Sequence, residues 1–472
     1  MQSGFYIDGA WRQPQSDQRF PVMNPATEEQ VAEVILGNAA DVDLAVAAAS
    51  KAFDSYSRTS KAERLELLEQ LLKATEGRVA DLAQAISTEM GAPITAAREV
   101  HADSAVGNLR AFIEALRSSE ERTTLAEGHV LLREPIGVCG LITPWNWPIY
   151  QVALKVLPAL ATGCTCVLKP SEHTPLAANV YAEIIHEAGY PAGVFNLIHG
   201  EGPVVGAALA KHPDVQMISF TGSTRAGKSV TENAAASVKR VTLELGGKSP
   251  NLLFADCDVT ERAALAVQAC FYNTGQSCDA PTRLLVEESC YDDVVEAATA
   301  AVEATQLGDP SQEGEFIGPL FDKLQYDRVQ AMIQAGIDEG AKLMAGGVGK
   351  PEGFETGHYV KPTLFADVHN SMRIAQEEIF GPVLVIIPFK DEAEAIKLAN
   401  DTPYGLAACI QSDDNERVER VAAALRVGSV YINGGELNYG SPFGGQKQSG
   451  NGREGGSLGL EDYQEVKILH FA

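Results

Sequence analysis

From about residue 129 onward, short apolar runs alternate with amphipathic stretches, and each run ends in a turn rich in Gly, Pro and Ser. This alternation predicts an α/β protein with largely parallel sheets, because parallel strands need helical crossovers. Ligands bind beyond the carboxyl ends of the strands in such sheets, so the turns after strands are where chemistry is expected. The predicted strands are 138–142, 165–168, 194–198, 217–220, 240–245, 252–254, 284–286, 384–388 and 407–411.

The residues before this region carry apolar positions at helical spacing over 41–54, 60–90 and 93–117. Leu65, Leu68 and Leu72, for example, lie on one face of a helix. The sequence therefore predicts that the chain opens with a layer of helices.

Size and charge narrow the class of protein. A chain of 472 residues exceeds what one hydrophobic core supports, so two or three structural units are expected. The composition, 45% hydrophobic and 21% charged, is typical of a soluble globular protein. The 63 acidic and 37 basic side chains give a formal charge of −26, which repels nucleic acid and anionic lipid. We therefore expect neither as a partner.

The sequence predicts a cytoplasmic protein without membrane spans or metal. The first residues lack the basic and apolar regions of a signal peptide. The most apolar stretch, 152–168, is interrupted by Lys155, Pro158 and Gly163. The eight cysteines are scattered and fit reduced thiols better than a disulfide framework, and neither they nor the nine histidines show metal-ligand spacing.

One turn matches the phosphate-loop pattern GxxxxGK[ST]. The match is GSTRAGKS, from Gly222 to Ser229, between a predicted strand and a predicted helix, and Leu252–Asp256 resembles a Walker B strand. A P-loop ATPase is therefore a second hypothesis. Against it, this loop follows about the fourth strand, and the hypothesis leaves the other polar turns unexplained.

A single resemblance accounts for those turns together. The chain contains PWNWP at 144–148, KPSEHTP at 169–175, FTGST at 220–224, ELGGKSP at 244–250, GQSC at 275–278, EEIFGPV at 377–383 and PFGG at 442–445. These strings resemble the aldehyde dehydrogenase superfamily in their order and approximate spacing. In that family the GST-x-x-G loop is the nicotinamide-binding turn, which would make the Walker match incidental.

The resemblance implies an aldehyde dehydrogenase-like α/β fold with three parts. A Rossmann-type NAD-binding domain would comprise 1–116 and 134–247, and an α/β catalytic domain 248–446. A small β oligomerisation arm would comprise 117–133 and 447–472. Such arms pair edge strands between subunits, so a homodimer or a homotetramer is expected.

The resemblance also implies oxidation of an aldehyde to a carboxylic acid through a thioester on Cys278. Thiolate attack creates an alkoxide, which the Asn146 amide and the backbone N–H of Cys278 would stabilise. Glu244 would deprotonate water to hydrolyse the thioester. Relatives that pass the acyl group to coenzyme A typically lack this glutamate, so hydrolysis is favoured over the CoA-acylating alternative.

Several residues match positions that bind the cofactor in the family. Glu172 would accept hydrogen bonds from the adenosine ribose, and its charge would repel a 2′-phosphate, which favours NAD over NADP. Glu378 would orient the nicotinamide ribose, with the adjacent Glu377 as an open alternative. The role of Arg225 in the nicotinamide loop is open. The full predicted set is Lys169, Glu172, Gly222, Ser223, Leu245, Glu378, Phe380 and Trp145.

The substrate positions of the family map to Trp147, Leu154, Leu437, Phe443 and Asp279. The apolar members predict a medium-chain aliphatic or aromatic aldehyde. Asp279, beside the nucleophile, would tolerate a cationic aldehyde and disfavour a carboxylate. Lys155 and Glu454 match positions sometimes assigned to a proton path, and a surface ion pair is the alternative for them.

Overall fold

The computed structural model describes residues 4–472, and it opens with strands rather than helices. The sequence pattern did not predict these four strands, which are three to six residues long and, apart from the first, largely solvent-accessible. They are β1 (Phe5–Ile7), β2 (Ala10–Arg12), β3 (Arg19–Met23) and β4 (Gln30–Ile35). Short strands with little burial carry almost no apolar alternation, so the pattern gave no signal.

The predicted helical layer follows. Its helices are α1 (Ala39–Tyr56), α2 (Lys61–Gly77), α3 (Val79–Met90), α4 (Ile94–Ala96) and α5 (Asp103–Ser118), with a π-helical turn at Ala97–Ala102. Asn38 and Ser60 start α1 and α2 with capping boxes, in which the cap side chain and the third helical residue satisfy each other's backbone N–H groups.

The next part of the chain begins with β5 (Arg122–Ala126) and β6 (His129–Pro135), which belong to a smaller sheet. It then supplies the five central strands of the first large sheet and the helices between them: β7 (Val138–Ile142), α6 (Pro148–Thr162), β8 (Thr165–Lys169), α7 (Pro175–Glu187), β9 (Phe195–Leu197), α8 (Ala207–Lys211), β10 (Met217–Thr221), α9 (Thr224–Ala234) and β11 (Arg240–Glu244). The helices α6 and α7 each begin with proline, which has no N–H to leave unsatisfied at a first helical position.

The second large sheet and the tail follow. Their elements are β12 (Pro250–Leu253), α10 (Val259–Phe271), β13 (Arg283–Glu287), α11 (Tyr291–Ala304), α12 (Lys323–Asp338), β14 (Lys342–Ala345), β15 (Thr363–Ala366), α13 (Arg373–Gln376), β16 (Val383–Phe389), α14 (Glu392–Asn400), β17 (Ala407–Gln411), α15 (Asn415–Ala424), β18 (Ser429–Ile432), β19 (Gly450–Asn451), α16 (Gly456–Glu461) and β20 (Gln464–His470).

The eight-stranded sheet has the order β19-β11-β10-β7-β8-β9-β1-β2, and its five central strands, β11 to β9, are parallel. Both of its faces are covered. Cys139 and Leu141 of β7 pack into one core with α2, α3, α5, α6 and α7, whereas Val138 and Ile142 pack into another with α1 and α9. Burial on both faces explains why this strand reads as a continuous apolar run.

The seven-stranded sheet has the order β14-β15-β16-β13-β12-β17-β18 and is parallel except for β14. Its strands also alternate between two cores, with Leu285 and Ile387 on one side and Leu284 and Ile386 on the other. The predicted α/β architecture with parallel sheets is therefore confirmed.

Two smaller sheets complete the fold. The strands β3 and β4 form a hairpin, and β20 pairs with β6, which pairs with β5, in an antiparallel three-stranded sheet. Just before β20, the two-residue strand β19 joins the first large sheet beside β11. Within residues 4–472 no helix is long and apolar enough to cross a membrane.

Candidate active site

The carboxyl ends of four strands of the first sheet meet at one edge. The chain runs from β7 through β8 to β9 on one side and then returns to β10 and β11 on the other, so the crevice between β7 and β10 is a topological switch point. Four predicted site segments follow these strand ends: Trp145–Trp147, Lys169–Glu172, Gly222–Ser223 and Leu245. The fold therefore brings together turns that are up to 100 residues apart in sequence.

Lys169 and Glu172 form a fixed ion pair at the end of β8. The Lys169 ammonium is buried and donates to the carbonyl oxygens of Pro170 at 2.6 Å and Gly200 at 2.7 Å, and to the Glu172 carboxylate at 3.0 Å. Burial lowers the pKa of Lys169. Burial opposes the charge on Glu172, but the Lys169 ammonium and hydrogen bonds outweigh it and hold the pKa of that carboxyl below its usual value. Glu172 is thus a charged acceptor in a set position.

The turn after β10 shows that the P-loop hypothesis is wrong. Ser223 caps α9, its Oγ accepting from the N–H of Ala226 at 3.3 Å, and the helix begins at Thr224. The N–H of Gly227 donates to the carbonyl oxygen of Ser223 at 2.9 Å. Because six of the eight motif residues are helical, the segment cannot wrap a phosphate with its backbone N–H groups. Lys228 is exposed on this helix, as is Arg225.

Gly222 and Leu245 are packed tightly beside that turn. A Cβ atom on Gly222 would lie 2.6 Å from the Phe220 ring, and its N–H donates to the carbonyl oxygen of Glu244 at 3.1 Å. Leu245 is buried against Gly227, where a Cβ atom would lie 2.7 Å from the leucine Cδ2. The backbone here lies as close to its neighbours as glycine permits.

Cys278 lies in a strained loop after α10. Asn273, Thr274 and Gly275 have positive φ values of 52°, 58° and 72° in succession, which non-glycine residues adopt only when surrounding contacts hold them. The carbonyl oxygen of Cys278 lies 2.5 Å from the position that a Cβ atom on Gly247 would take. The loop is therefore pressed against the ELGG turn, and Cys278 is half-buried.

Asn146 ties the turn after β7 to this loop. Its side-chain Nδ2 donates to the carbonyl oxygen of Gln276 at 2.9 Å, and the neighbouring Trp147 Nε1 donates to the Ser277 hydroxyl at 3.0 Å. An amide nitrogen carries two hydrogens, and only one is needed for the Gln276 bond. The buried amide is thus held in place beside the residue pair that precedes Cys278.

The charges around Cys278 favour its protonated form. Burial raises the pKa of the thiol well above its ordinary value, and the negative charges of Asp279, Glu244 and Glu378 raise it further. Burial does the same to Glu378, whose pKa is raised to about 7. The thiol is therefore surrounded by carboxyl groups, whose negative charges oppose formation of the thiolate.

Glu244 is a buried carboxyl group at the end of β11. Neither of its side-chain oxygens has a hydrogen-bond partner among the described residues. Burial and the nearby charge of Glu454 raise its pKa well above the usual value, although Lys155 opposes this. Gly444 leaves it room, because a Cβ atom there would lie 2.6 Å from the Glu244 Oε1. A carboxyl group with these properties is a candidate acid or base.

Lys155 and Glu454 form a buried pair rather than the alternative surface ion pair, which is wrong. The Lys155 side chain is completely inaccessible, and its ammonium bonds to the Glu454 carboxylate and to the Thr221 hydroxyl at 2.6 Å. The lysine comes from α6 and the glutamate from the segment after β19, which explains why sequence separation concealed their pairing.

Glu378 and Phe380 lie on the opposite side of the crevice, in the turn before β16. The Glu378 carboxylate accepts from the N–H of Gly247 at 3.2 Å, and Gly246 leaves it space, since a Cβ atom would lie 2.6 Å from both oxygens. Glu377 instead pairs with Arg373 on the surface at 2.7 Å. Of the two glutamates, Glu378 is therefore the one that faces the ELGG turn.

Aromatic rings line the same region. Trp145 stacks on Phe321 with ring centroids 3.7 Å apart, and it makes a T-shaped contact with Phe380, with centroids 5.5 Å apart. Phe380 has a φ of 63°, a conformation that a bulky residue adopts only under constraint. Phe321 was not predicted from the sequence, because its segment carries no motif.

Two of the predicted substrate residues, Trp147 and Asp279, contact tyrosine side chains. Trp147 packs with Tyr272 at 5.8 Å and Tyr150 at 6.3 Å between ring centroids. Burial raises the pKa of Asp279, and its carboxylate accepts from the Tyr431 hydroxyl at 3.3 Å. Three tyrosines that were not predicted from the sequence thus contact the predicted substrate residues.

The remaining predicted substrate positions are Leu154, Leu437 and Phe443. Leu154 is buried in α6, and Leu437 is half-buried between β18 and β19. Phe443 is buried, and its backbone exchanges two hydrogen bonds of 2.7 Å with Glu454. Among residues 4–472, no group of three or more His, Cys, Asp or Glu side chains is arranged to hold a metal ion.

Comparisons with known proteins agree with this geometry. Residues 11–469 match the aldehyde dehydrogenase family. The chain is 50% identical over 466 residues, 98% of each chain, to 3-succinoylsemialdehyde-pyridine dehydrogenase of a Pseudomonas species. It is similar to the crystal structure of an aldehyde dehydrogenase from Bartonella henselae, with a TM-score of 0.98 and 50% identity over 100% of this chain and 99% of that one.

A second solved structure is similar to the same degree. It is a cysteine-to-alanine mutant of aldehyde dehydrogenase C from Pseudomonas syringae in complex with NAD+ and octanal, with a TM-score of 0.98 and 50% identity over 100% of this chain and 97% of that one. The order of the motifs, the fold and the full-length identity all lead to one conclusion. The chain belongs to the aldehyde dehydrogenase family.

Proposed function

We propose that this aldehyde dehydrogenase oxidises an aldehyde to the free carboxylic acid with NAD, using Cys278 as nucleophile, Asn146 as oxyanion donor and Glu244 as general base. One observation carries the proposal. The Asn146 amide is anchored on the carbonyl of Gln276, two residues before Cys278, with a second N–H to donate. An acyl-transfer site needs such a fixed donor next to its nucleophile.

The first half-reaction depends on stabilising negative charge. Attack of the Cys278 sulfur on the aldehyde carbon turns the carbonyl oxygen into an alkoxide. The free N–H of Asn146 and the backbone N–H of Cys278 donate to that oxygen. Donors fixed in advance in a water-poor site are worth far more than donors in water, and loss of one typically costs ~10²-fold or more in rate.

When bound, NAD supplies the acceptor for the hydride that leaves the alkoxide carbon. The crevice residues fit this group. Glu172 is a charged acceptor suited to ribose hydroxyls, and its charge disfavours the 2′-phosphate of NADP. Gly222 and Ser223, at the N-terminus of α9, would lie against the cofactor diphosphate or nicotinamide. Glu378, Phe380, Trp145, Leu245 and Lys169 complete the proposed cofactor site.

The second half-reaction removes the acyl group. Glu244 takes a proton from water, which attacks the thioester and releases the acid. Its carboxyl group is buried and makes no other hydrogen bond among the described residues, so it is free to do so. The charges of Lys155 and Glu454 act on its pKa, and this bonded pair is the proposed route by which the proton leaves. Hydrolysis is thereby favoured over transfer to coenzyme A.

We propose a medium-chain aliphatic or aromatic aldehyde as the substrate. The relative that binds octanal and the relative named for a pyridine semialdehyde, each 50% identical to this chain, support this class. Trp147, Leu154, Leu437 and Phe443 would supply the apolar contacts. Asp279 would favour a substrate that is neutral or cationic near the reacting carbon over one with a carboxylate there.

We also propose the division of labour between parts of the chain. The NAD-binding domain is 1–116 with 134–247, the catalytic domain is 248–446, and the oligomerisation element is 117–133 with 447–472. In the three-stranded sheet, Leu125 of β5 and Val466 of β20 are more than half exposed. Apolar groups on such an arm fit burial in a homodimer or homotetramer, which sedimentation velocity would reveal.

A panel assay tests the proposed function. Purified protein with NAD and hexanal, benzaldehyde or betaine aldehyde is expected to form NADH and the free acid in equal amounts, and Cys278→Ser to form neither. Acid formation that requires coenzyme A and yields an acyl-CoA would contradict the hydrolytic assignment. Full activity of Cys278→Ser would contradict the nucleophile.

A further inference from the structure

One buried histidine beside the site has no role in the proposed reaction. His101 lies in the π-helical turn at Ala97–Ala102 and is 2% exposed. Its imidazole ring stacks on the Trp147 indole, with centroids 4.1 Å apart and an interplanar angle of 21°. π-Helical turns are rare and occur frequently at functional sites. The ring therefore contacts the turn that carries Asn146.

His101 also contacts the loop that carries Cys278. Its imidazole faces the Asn273 side chain, a hydrogen-bonding neighbour that opposes the lowering of the His101 pKa. The Asn273 Nδ2 donates to the carbonyl oxygens of Asn146 at 3.0 Å and Gln276 at 3.2 Å, so the Oδ1 atom is the one that accepts from histidine. The His101 Nδ1 has no partner in the described residues, so the donor is Nε2–H.

We propose that His101 is a positioning residue that aligns the oxyanion donor with the nucleophile. Its ring packs on the Asn146 turn, and its N–H orients the Asn273 amide, which bonds to both loops. The inference rests on the proposed function, in which Asn146 and Cys278 act on the same carbonyl group.

The surroundings keep the imidazole neutral. Burial lowers the pKa of His101 to about 3. A neutral ring has one N–H, and Asn273 receives it. Asn273 and the following Thr274 are both in the left-handed region, which side chains avoid unless contacts hold them there. The bond from His101 is one of those contacts.

Two variants separate the stacking from the hydrogen bond. His101→Phe keeps a flat ring against Trp147 and removes the donor, whereas His101→Gln keeps a donor and removes the ring. Tyr56→Phe is the matched control, because it removes a buried hydroxyl that donates to the carbonyl oxygen of Leu160 at 2.9 Å in the same helical layer. The measurements are the burst rate of NADH formation with hexanal, the Kd of NAD, the rate of Cys278 alkylation by iodoacetamide, and Tm.

We expect His101→Phe to slow the burst and the alkylation about tenfold, with the Kd of NAD within twofold of wild type. His101→Gln is expected to recover part of the loss. Tyr56→Phe is expected to lower Tm without changing either rate. A purely structural role would change Tm and leave the burst rate of the folded enzyme unchanged.

A double-mutant cycle with Asn273→Ala completes the test. If His101 acts through Asn273, adding His101→Phe to Asn273→Ala slows the burst by no more than twofold. If the two substitutions slow the burst independently, so that their effects multiply, the inference is wrong. It is also wrong if the burst rate of His101→Phe, or of His101→Gln where His101→Phe does not fold, is within twofold of wild type. Failure of wild-type enzyme to oxidise any aldehyde would instead refute the proposed function.

Discussion

Replacing Glu244 by Gln is expected to separate the two half-reactions. The substitution keeps the shape of a side chain that is 5% exposed and closely bounded by Gly444, but it removes the proposed base. A positioned base typically contributes ~10²- to 10⁴-fold, which is about 3 to 5 kcal/mol at ~1.36 kcal/mol per factor of ten. Steady-state kcat is expected to fall by that factor.

In the proposed mechanism, the first half-reaction needs Cys278, Asn146 and NAD, but no water. Rapid mixing of Glu244→Gln with NAD and hexanal is therefore expected to show a burst approaching one NADH per active site, followed by slow turnover. Intact-protein mass spectrometry of the quenched enzyme is expected to show the acyl group, and peptide mapping to place it on Cys278. Together, the NADH burst and the mass measurement distinguish a loss of thioester hydrolysis from a loss of aldehyde oxidation.

Glu377→Gln is the matched control. Glu377 is a solvent-exposed glutamate that pairs with Arg373 across one helical turn, so its removal is expected to leave kcat unchanged. If Glu244→Gln abolishes the burst as well as turnover, Glu244 must also activate the thiol, and the proposed division of roles is wrong. An acyl group on another cysteine would refute Cys278 as nucleophile.

Four further outcomes are expected. Glu172→Ser is expected to raise the NADP/NAD activity ratio at least several-fold by removing charge repulsion, and an unchanged ratio would remove Glu172 from nucleotide selection. Lys155→Met leaves Glu454 buried without its partner and is expected to lower the free energy of unfolding, measured by urea titration, by about 3 to 5 kcal/mol. The double variant Lys155→Met with Glu454→Leu is expected to recover most of that loss. Equal losses in the two variants would contradict a buried pair. Asp279→Asn is expected to raise kcat/KM for succinic semialdehyde relative to betaine aldehyde, and the opposite change would contradict its proposed selectivity. Because the folded-state pKa of Glu244 is raised, wild type loses stability as pH rises from its unfolded-state pKa (~4.3) through the folded-state pKa, and Glu244→Gln is expected to lose less over that range in Tm measurements.

Strand prediction succeeded where both faces of a strand are buried. The strand β7 begins and ends as predicted, at residues 138 and 142, because every residue in it is enclosed by helices. The strands β2 to β4 near the amino terminus were missed because they are short and mostly open to solvent, so their apolar pattern is weak. Burial on both sides, rather than strand propensity, made the difference.

Whether a candidate site residue could be predicted from the sequence depended on the element that carries it. The predicted catalytic residues Cys278, Glu244 and Asn146 lie in or next to turns with several constrained residues, and such turns have recognisable sequences. His101 comes from a helical segment in which one residue out of four or five faces the site, so no local pattern distinguishes it. The burial of Lys155 with Glu454 depends on two elements 299 residues apart, and only the folded chain shows that both side chains are buried.

The charge around Cys278 bears on when the thiol becomes reactive. Its immediate surroundings contain Asp279, Glu244 and Glu378, and all three raise the thiol pKa. A nucleophile is more often activated by a positive neighbour or an ionised base. Here the acids that disfavour the thiolate are themselves shifted towards their neutral forms by burial.

Each of those groups loses its repulsion when it is protonated, and each takes up a proton at a higher pH than an ordinary carboxyl group does. Protonation of any one of them therefore removes a charge that holds the thiol pKa high. Lys155 and Arg453 act against protonation of Glu244, because both lower its pKa. The Cys278 thiol and Glu244 thus ionise as a coupled pair, and a positive charge next to the sulfur favours the thiolate.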